Sequence, residues 1–135
     1  MSTGGHPTQP IRDATFHLFV YGTLRSNGPA AERLEGCEMV AETTVLGTLF
    51  DIDGRFPALM LYGDTAVRGE VWRCPSSLLL HLDEYEGADR GLFRRVGVIA
   101  AGLPCWTYVA GPALTRKLTP ARRVDTGEWR PPARR

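Results

Sequence analysis

Two short stretches of this 135-residue chain hold the residue types from which a reaction can be built. One is Tyr21-Gly22-Thr23-Leu24-Arg25, directly after the apolar run Leu18-Phe19-Val20. Such a run reads as a buried strand leaving the core. Gly22 at its end lets the backbone turn sharply and lets a ligand come close, because no side chain stands in the way. The amides of Gly22, Thr23 and Leu24 can then converge on an anion or a carbonyl oxygen. The same residues are compatible with a strand that ends in an ordinary turn. The other stretch is the helical pattern Ser76–Glu86. At about 100° per residue, Leu78, Leu79, Leu82 and Tyr85 form one stripe that faces the core, and Glu86 falls on that stripe. Asp83 lies at its edge, while His81 and Glu84 point elsewhere. Burial raises the pKa of an inward carboxyl, and the negative end of the helix dipole raises it further. A Glu tuned upward in this way suits proton transfer near neutral pH. The alternative is a helix that frays before Glu86. The carboxylate is then solvated, or paired with Arg90, Arg94 or Arg95, which lowers its pKa.

Other chemistries lack visible parts. His6, His17 and His81 have no Asp or Ser partner at a recognisable spacing, and H-E-x-x-H, G-x-S-x-G and P-loop patterns are missing. Cys37, Cys74 and Cys105 are widely spaced and odd in number, so they form no disulfide framework and no zinc site. They are expected to behave as small hydrophobes in a reducing compartment. The expected reaction therefore uses no metal, no cofactor and no protein nucleophile. A net charge of +1 gives no general attraction to nucleic acid or membrane. No run of eighteen apolar residues occurs, which argues against a membrane-spanning helix. The expected location is cytoplasmic.

The elements that must position these residues are short. Residues 1–13 read as a disordered leader without the apolar segment of a signal peptide, 14–130 as one domain, and 131–135 as a basic tail. From Ala113 onward Arg and Lys outnumber Asp and Glu, which suits a solvated terminus or a contact with an acidic partner. Pro29–Glu35 is expected to form a short helix closed by Gly36. Val45–Phe50, Ala58–Tyr62 and Val67–Trp72 are expected as strands, with Asp53-Gly54 as a turn and Gly69 as a bulge or tight bend. Ser76 or Ser77 is the expected cap of the main helix and Gly87 its left-handed end. Phe93–Ala100 and Cys105–Ala110 form a hairpin around Gly102. Many short strands with few helices predict an α+β fold, a small mixed β-barrel with short flanking helices.

With the elements in place, the chain resembles the gamma-glutamylcyclotransferase-like family. Phe19-Val20-Tyr21-Gly22-Thr23-Leu24-Arg25 is similar to its Tyr-Gly-Ser/Thr-Leu loop. In family order follow Phe56-Pro57-Ala58-Leu59, Val67-Arg68-Gly69-Glu70-Val71-Trp72, Leu82-Asp83-Glu84-Tyr85-Glu86-Gly87 and Phe93-Arg94-Arg95-Val96. Cys105-Trp106-Thr107-Tyr108-Val109 and Thr126-Gly127-Glu128-Trp129-Arg130 complete the set. The resemblance implies that Tyr21, Gly22, Thr23 and Leu24 bind the glutamyl part of a small gamma-glutamyl substrate and that Glu86 is the acid/base. Arg25 and Tyr108 are candidate neighbours of that pocket; Tyr21 and Tyr108 read equally well as buried core aromatics, and Arg25 as a solvated charge after a turn. Phe93 departs from the family, which commonly has Tyr there. The implied activity is cyclisation of a gamma-glutamyl amine to 5-oxoproline by a monomer or weak homodimer. The alternatives are a non-catalytic domain that binds a metabolite or partner, and a related lyase or amidotransfer reaction.

Overall fold

The computed structural model describes residues 14–131. The expected leader, and all of the expected tail but its first residue, lie outside the described residues. Five strands form one sheet: β1 (Thr15–Val20), β2 (Glu38–Ile52), β3 (Phe56–Pro75), β4 (Phe93–Ala100) and β5 (Leu103–Ala110). Their order is β2-β3-β1-β5-β4. The helix α1 (Leu79–Tyr85) joins β3 to β4. The central strand β1 runs antiparallel to β3 and parallel to β5. Its second half (Leu18, Phe19 and Val20) is buried on both faces, which is why that stretch is continuously apolar rather than alternating. Leu18 and Val20 join a core with Leu34, Phe50, Leu82 and Phe93, while Phe19 and Tyr21 join a second with Leu49, Leu59, Val71 and Trp129.

Turn chemistry sets the two hairpins. Asp53 and Gly54 both have positive φ, 57° and 73°, and the Arg55 amide bonds the Ile52 carbonyl at 3.0 Å. That is the primed turn which Asp-Gly favours between strands. Ala101 and Gly102, at 52° and 75°, close the β4–β5 hairpin in the same way.

Four expectations are corrected in detail. The strands expected at Ala58–Tyr62 and Val67–Trp72 are one strand, β3. The ladder steps from Gly47↔Thr65 to Thr48↔Met60, so Leu61–Asp64 loops out and β3 continues. Gly69 marks no bulge; a Cβ there would meet the Val20 carbonyl and the Phe19 ring, and glycine is the residue that lets β1 lie this close. Ser76 and Ser77 cap nothing: a 3-10 turn, Ser76–Leu78, precedes α1 and its cap position is Pro75. The helix expected at Pro29–Glu35 is a 3-10 turn, Ala31–Leu34. The α+β class stands. The edge strands β2 and β4 approach each other without pairing, so the sheet is strongly curled and open rather than a closed barrel.

Gly69→Ala is expected to destabilise the fold by about 1–3 kcal/mol through overpacking against β1. Urea unfolding should show a lower midpoint with an unchanged slope.

Candidate active site

At the end of β1 the chain enters consecutive tight turns. The Arg25 amide bonds the Gly22 carbonyl at 3.0 Å, Gly28 bonds Arg25 at 2.7 Å, and Ala30 bonds Thr23 at 2.8 Å. Gly22 is required here because Pro57 packs where a Cβ would project. Among the described residues, the amides of Gly22, Thr23 and Leu24 bond no backbone carbonyl. The loop is anchored by Glu70, 3 % exposed, which accepts bonds from the Ser26 amide (2.8 Å), the Ser26 hydroxyl (2.7 Å) and Trp72 Nε1 (3.0 Å). Tyr21 anchors its start. The Tyr21 hydroxyl donates to the Tyr108 carbonyl at 2.6 Å and accepts the Leu59 amide at 3.1 Å. Burial pushes this phenol far above its usual pKa, so it acts as a neutral hydrogen-bonding post.

Opposite the loop stands the end of α1. The Glu86 amide bonds the Leu82 carbonyl at 2.9 Å, and Gly87, at φ 68°, turns the chain away. The helical hydrogen bonding therefore carries through Glu86, which resolves the fraying alternative. Neither Arg90, Arg94 nor Arg95 pairs with Glu86 among the described residues. Arg95 instead grips Asp83, at 2.9 and 3.3 Å, and lies 4.3 Å from the centre of the Trp106 ring. Tyr108 donates its hydroxyl to the same carboxylate at 2.5 Å. Asp83 is one turn before Glu86, so these bonds fix the helix end against β4 and β5. Thr23 Oγ1 and the Tyr85 hydroxyl, 2.9 Å apart, bridge loop and helix directly.

Between them lies a cavity of about 260 Å³. Tyr21, Gly22, Thr23, Leu24, Tyr85, Glu86 and Tyr108 line one part of it, and Phe56, Pro57, Leu92 and Phe93 supply apolar wall. Burial pushes the Glu86 carboxyl up to about 8, against a weaker downward pull from the Arg33 guanidinium. Phe93 packs edge-on against Phe56, with ring centres 5.7 Å apart.

One candidate pocket residue lies elsewhere. Arg25, expected beside the pocket, is buried and directed to Glu128, 3.5 Å away, near the far end of the chain. The cation that does line the cavity is Arg55, from the β2–β3 turn, and it makes no ion pair among the described residues. It was missed because Asp53-Gly54-Arg55 reads only as turn chemistry. Tyr85 was read as core but faces the cavity. Glu70 also escaped notice, although a lone acid between Gly69 and Val71 in an apolar strand is a visible signal of a buried partner set.

Residues 18–131 match the family model described as Gamma-glutamyl cyclotransferase, AIG2-like. Three solved structures share the fold. A uropathogenic E. coli-specific protein has a TM-score of 0.72 at 24% identity, covering 86% of this chain and 93% of that one. An uncharacterised protein from Pyrococcus horikoshii gives 0.69 at 21%, covering 84% and 88%. An AIG2-like protein from Mus musculus gives 0.67 at 18%, covering 86% and 88%. No curated protein matches the chain in sequence. No helix among the described residues is long and apolar enough to cross a membrane.

Two predictions follow from the geometry. Tyr21→Phe leaves the buried Leu59 amide without its acceptor and should cost about 1–3 kcal/mol, seen as a lower thermal midpoint. The raised Glu86 pKa means that the folded state favours the protonated form. Its contribution to stability is intact below the unfolded value of 4.5, falls as pH rises from there, and is lost above about 8. Glu86→Gln should therefore match the parent in thermal stability at low pH and exceed it above pH of about 8, by calorimetry across the range. An equal difference at all pH values would contradict a desolvated carboxyl with no ion pair among the described residues.

Proposed function

This chain belongs to the gamma-glutamyl cyclotransferase, AIG2-like family, and from that premise we propose that it cyclises a gamma-glutamyl amine to 5-oxoproline and releases the free amine. One observation carries the reading. Glu86, whose carboxyl has no protein partner among the described residues, shares a cavity with the loop whose Gly22, Thr23 and Leu24 amides bond no backbone carbonyl there.

In such a substrate the α-nitrogen is the nucleophile and the γ-carbonyl carbon is its target. Attack forms the carbon–nitrogen bond of a five-membered ring and places negative charge on the carbonyl oxygen. Collapse breaks the bond to the departing amine. The enzyme need not supply a nucleophile; it must bend the substrate so that these atoms meet. Holding reactants in a near-attack geometry is worth up to about 7–11 kcal/mol, and the apolar walls around Phe56 and Phe93 serve that purpose. Ionised Glu86 takes the proton from the attacking ammonium and returns it to the leaving nitrogen, a contribution of about 10²–10⁴-fold. The loop amides stabilise the oxyanion or bind the α-carboxylate. Arg55 at the rim, rather than Arg25, is the cation available to a substrate carboxylate.

A screen of gamma-glutamyl amines, gamma-glutamyl dipeptides and glutathione for 5-oxoproline release tests the proposal. The parent should turn over at least one class, and Glu86→Gln should lose about 10²-fold or more in kcat with little change in KM. Because the base form does the work, kcat/KM should rise with pH and level off above about 8, and the variant should lack that rise. Binding of 5-oxoproline without turnover of any member would instead support a metabolite-binding role for the same cavity.

A further inference from the structure

The cysteines stand outside the proposed chemistry, yet two of them are not independent. β2 and β3 are antiparallel with Glu38 opposite Arg73. Cys37 directly precedes β2, and continuing that register by one residue sets it opposite Cys74, whose thiol it neighbours. Facing positions of an antiparallel pair have Cα atoms about 4.5–5.5 Å apart, within the span of about 4.4–6.8 Å that a disulfide bridges. Both side chains lie on the same face. Cys74 is 1 % exposed in the core that contains Leu18 and Leu82, and Cys37 packs against that core. The Glu38 and Arg73 side chains form an exposed ion pair next to them. Both thiols are free.

We propose that Cys37 and Cys74 form a reversible intramolecular disulfide, made by exchange with a low-molecular-weight disulfide. Cys37, the partly exposed thiol, attacks first as its thiolate. A mixed disulfide forms at Cys37 and one small thiol leaves. Cys74 then attacks the Cys37 sulfur and displaces the second small thiol. In sum, one small disulfide and two protein thiols become one protein disulfide and two small thiols. Burial and the neighbouring Cys37 push the Cys74 thiol well above its usual pKa, which agrees with its acting second. The bond would join the segment before β2 to the end of β3. Cys74 leads through Pro75 to α1 and Glu86. The Cys37 amide bonds Leu34 at 2.9 Å, at the end of the turn whose Arg33 lies 4.2 Å from the centre of the Tyr85 ring.

The test is made on the full, reduced chain and does not depend on any activity. The folded protein is incubated with oxidised glutathione, and remaining thiols are alkylated and read by intact mass and peptide mapping. The expected product has lost two alkylatable thiols together, with Cys37 linked to Cys74 and Cys105 still free. Its thermal midpoint should rise by about 5 °C or more, because the closed loop restricts the unfolded chain. Cys37→Ser should fold and form no intramolecular link. A lasting glutathione adduct on Cys37, no reaction, a link formed only in urea, or a lower midpoint for the oxidised protein would each overturn the proposal.

Discussion

One buried phenol oxygen sets the geometry on which the cavity depends. The Tyr21 hydroxyl lies where β1 leaves the sheet. It takes a proton donor from β3, the Leu59 amide, and gives its own proton to β5, at the Tyr108 carbonyl. Tyr108 in turn sends its hydroxyl to Asp83 on α1. Loop, strands and helix are thereby held to one another by directional bonds, where apolar packing alone would permit sliding. In a low-dielectric interior such a chain is strong when every member is satisfied and costly when one is not. A buried tyrosine with two good partners is thus better suited to fix a distance across the cavity than another aliphatic contact.

The same economy of partners separates three acids around the cavity. Glu70 collects three donors and Asp83 collects bonds from Tyr108 and Arg95. Desolvation threatens each of these carboxylates, and hydrogen bonds offset it. Glu86 has no such set among the described residues, and there a bound proton makes up the difference, which is the meaning of its rise to about 8. The two satisfied acids hold elements in place. The unsatisfied one favours its protonated form.

What could be read from the sequence was what local geometry dictates. Asp53-Gly54 and Gly87 announced themselves because their positions demand positive φ. Glu86 did so because one residue in a helical stripe had the wrong polarity for it. The continuity of β3 was hidden: Tyr62-Gly63-Asp64 reads as a break, and only the pairing with Gly47 and Thr48 shows that the strand resumes. Gly69 looked like a kink because its reason, the Phe19 ring, comes from a strand about fifty residues away in sequence. The missing Ser cap has a local cause that pattern reading weighs poorly, since a 3-10 turn after Pro75 displaces the start of α1.

Arg25 illustrates the non-local side most sharply, and its true partner explains how an open sheet is closed. The segment after β5 returns across the curled face. The Val124 amide bonds the Leu49 carbonyl at 2.8 Å, Trp129 is buried and donates to Asp51 at 2.6 Å, and the Gly127 carbonyl takes the Arg68 amide at 2.7 Å. Glu128, between these anchors, receives Arg25 from the loop after β1, with Arg68 and Arg130 nearby. The guanidinium of Arg25 is thus committed to holding the C-terminal segment against the loop. Without that contact Glu128 would keep Arg68 and Arg130, whereas the buried guanidinium would lose its one ion-pair partner among the described residues. It cannot also serve as a substrate's counter-ion. Arg55, exposed on a tight turn at the rim of the cavity, has no such commitment among the described residues.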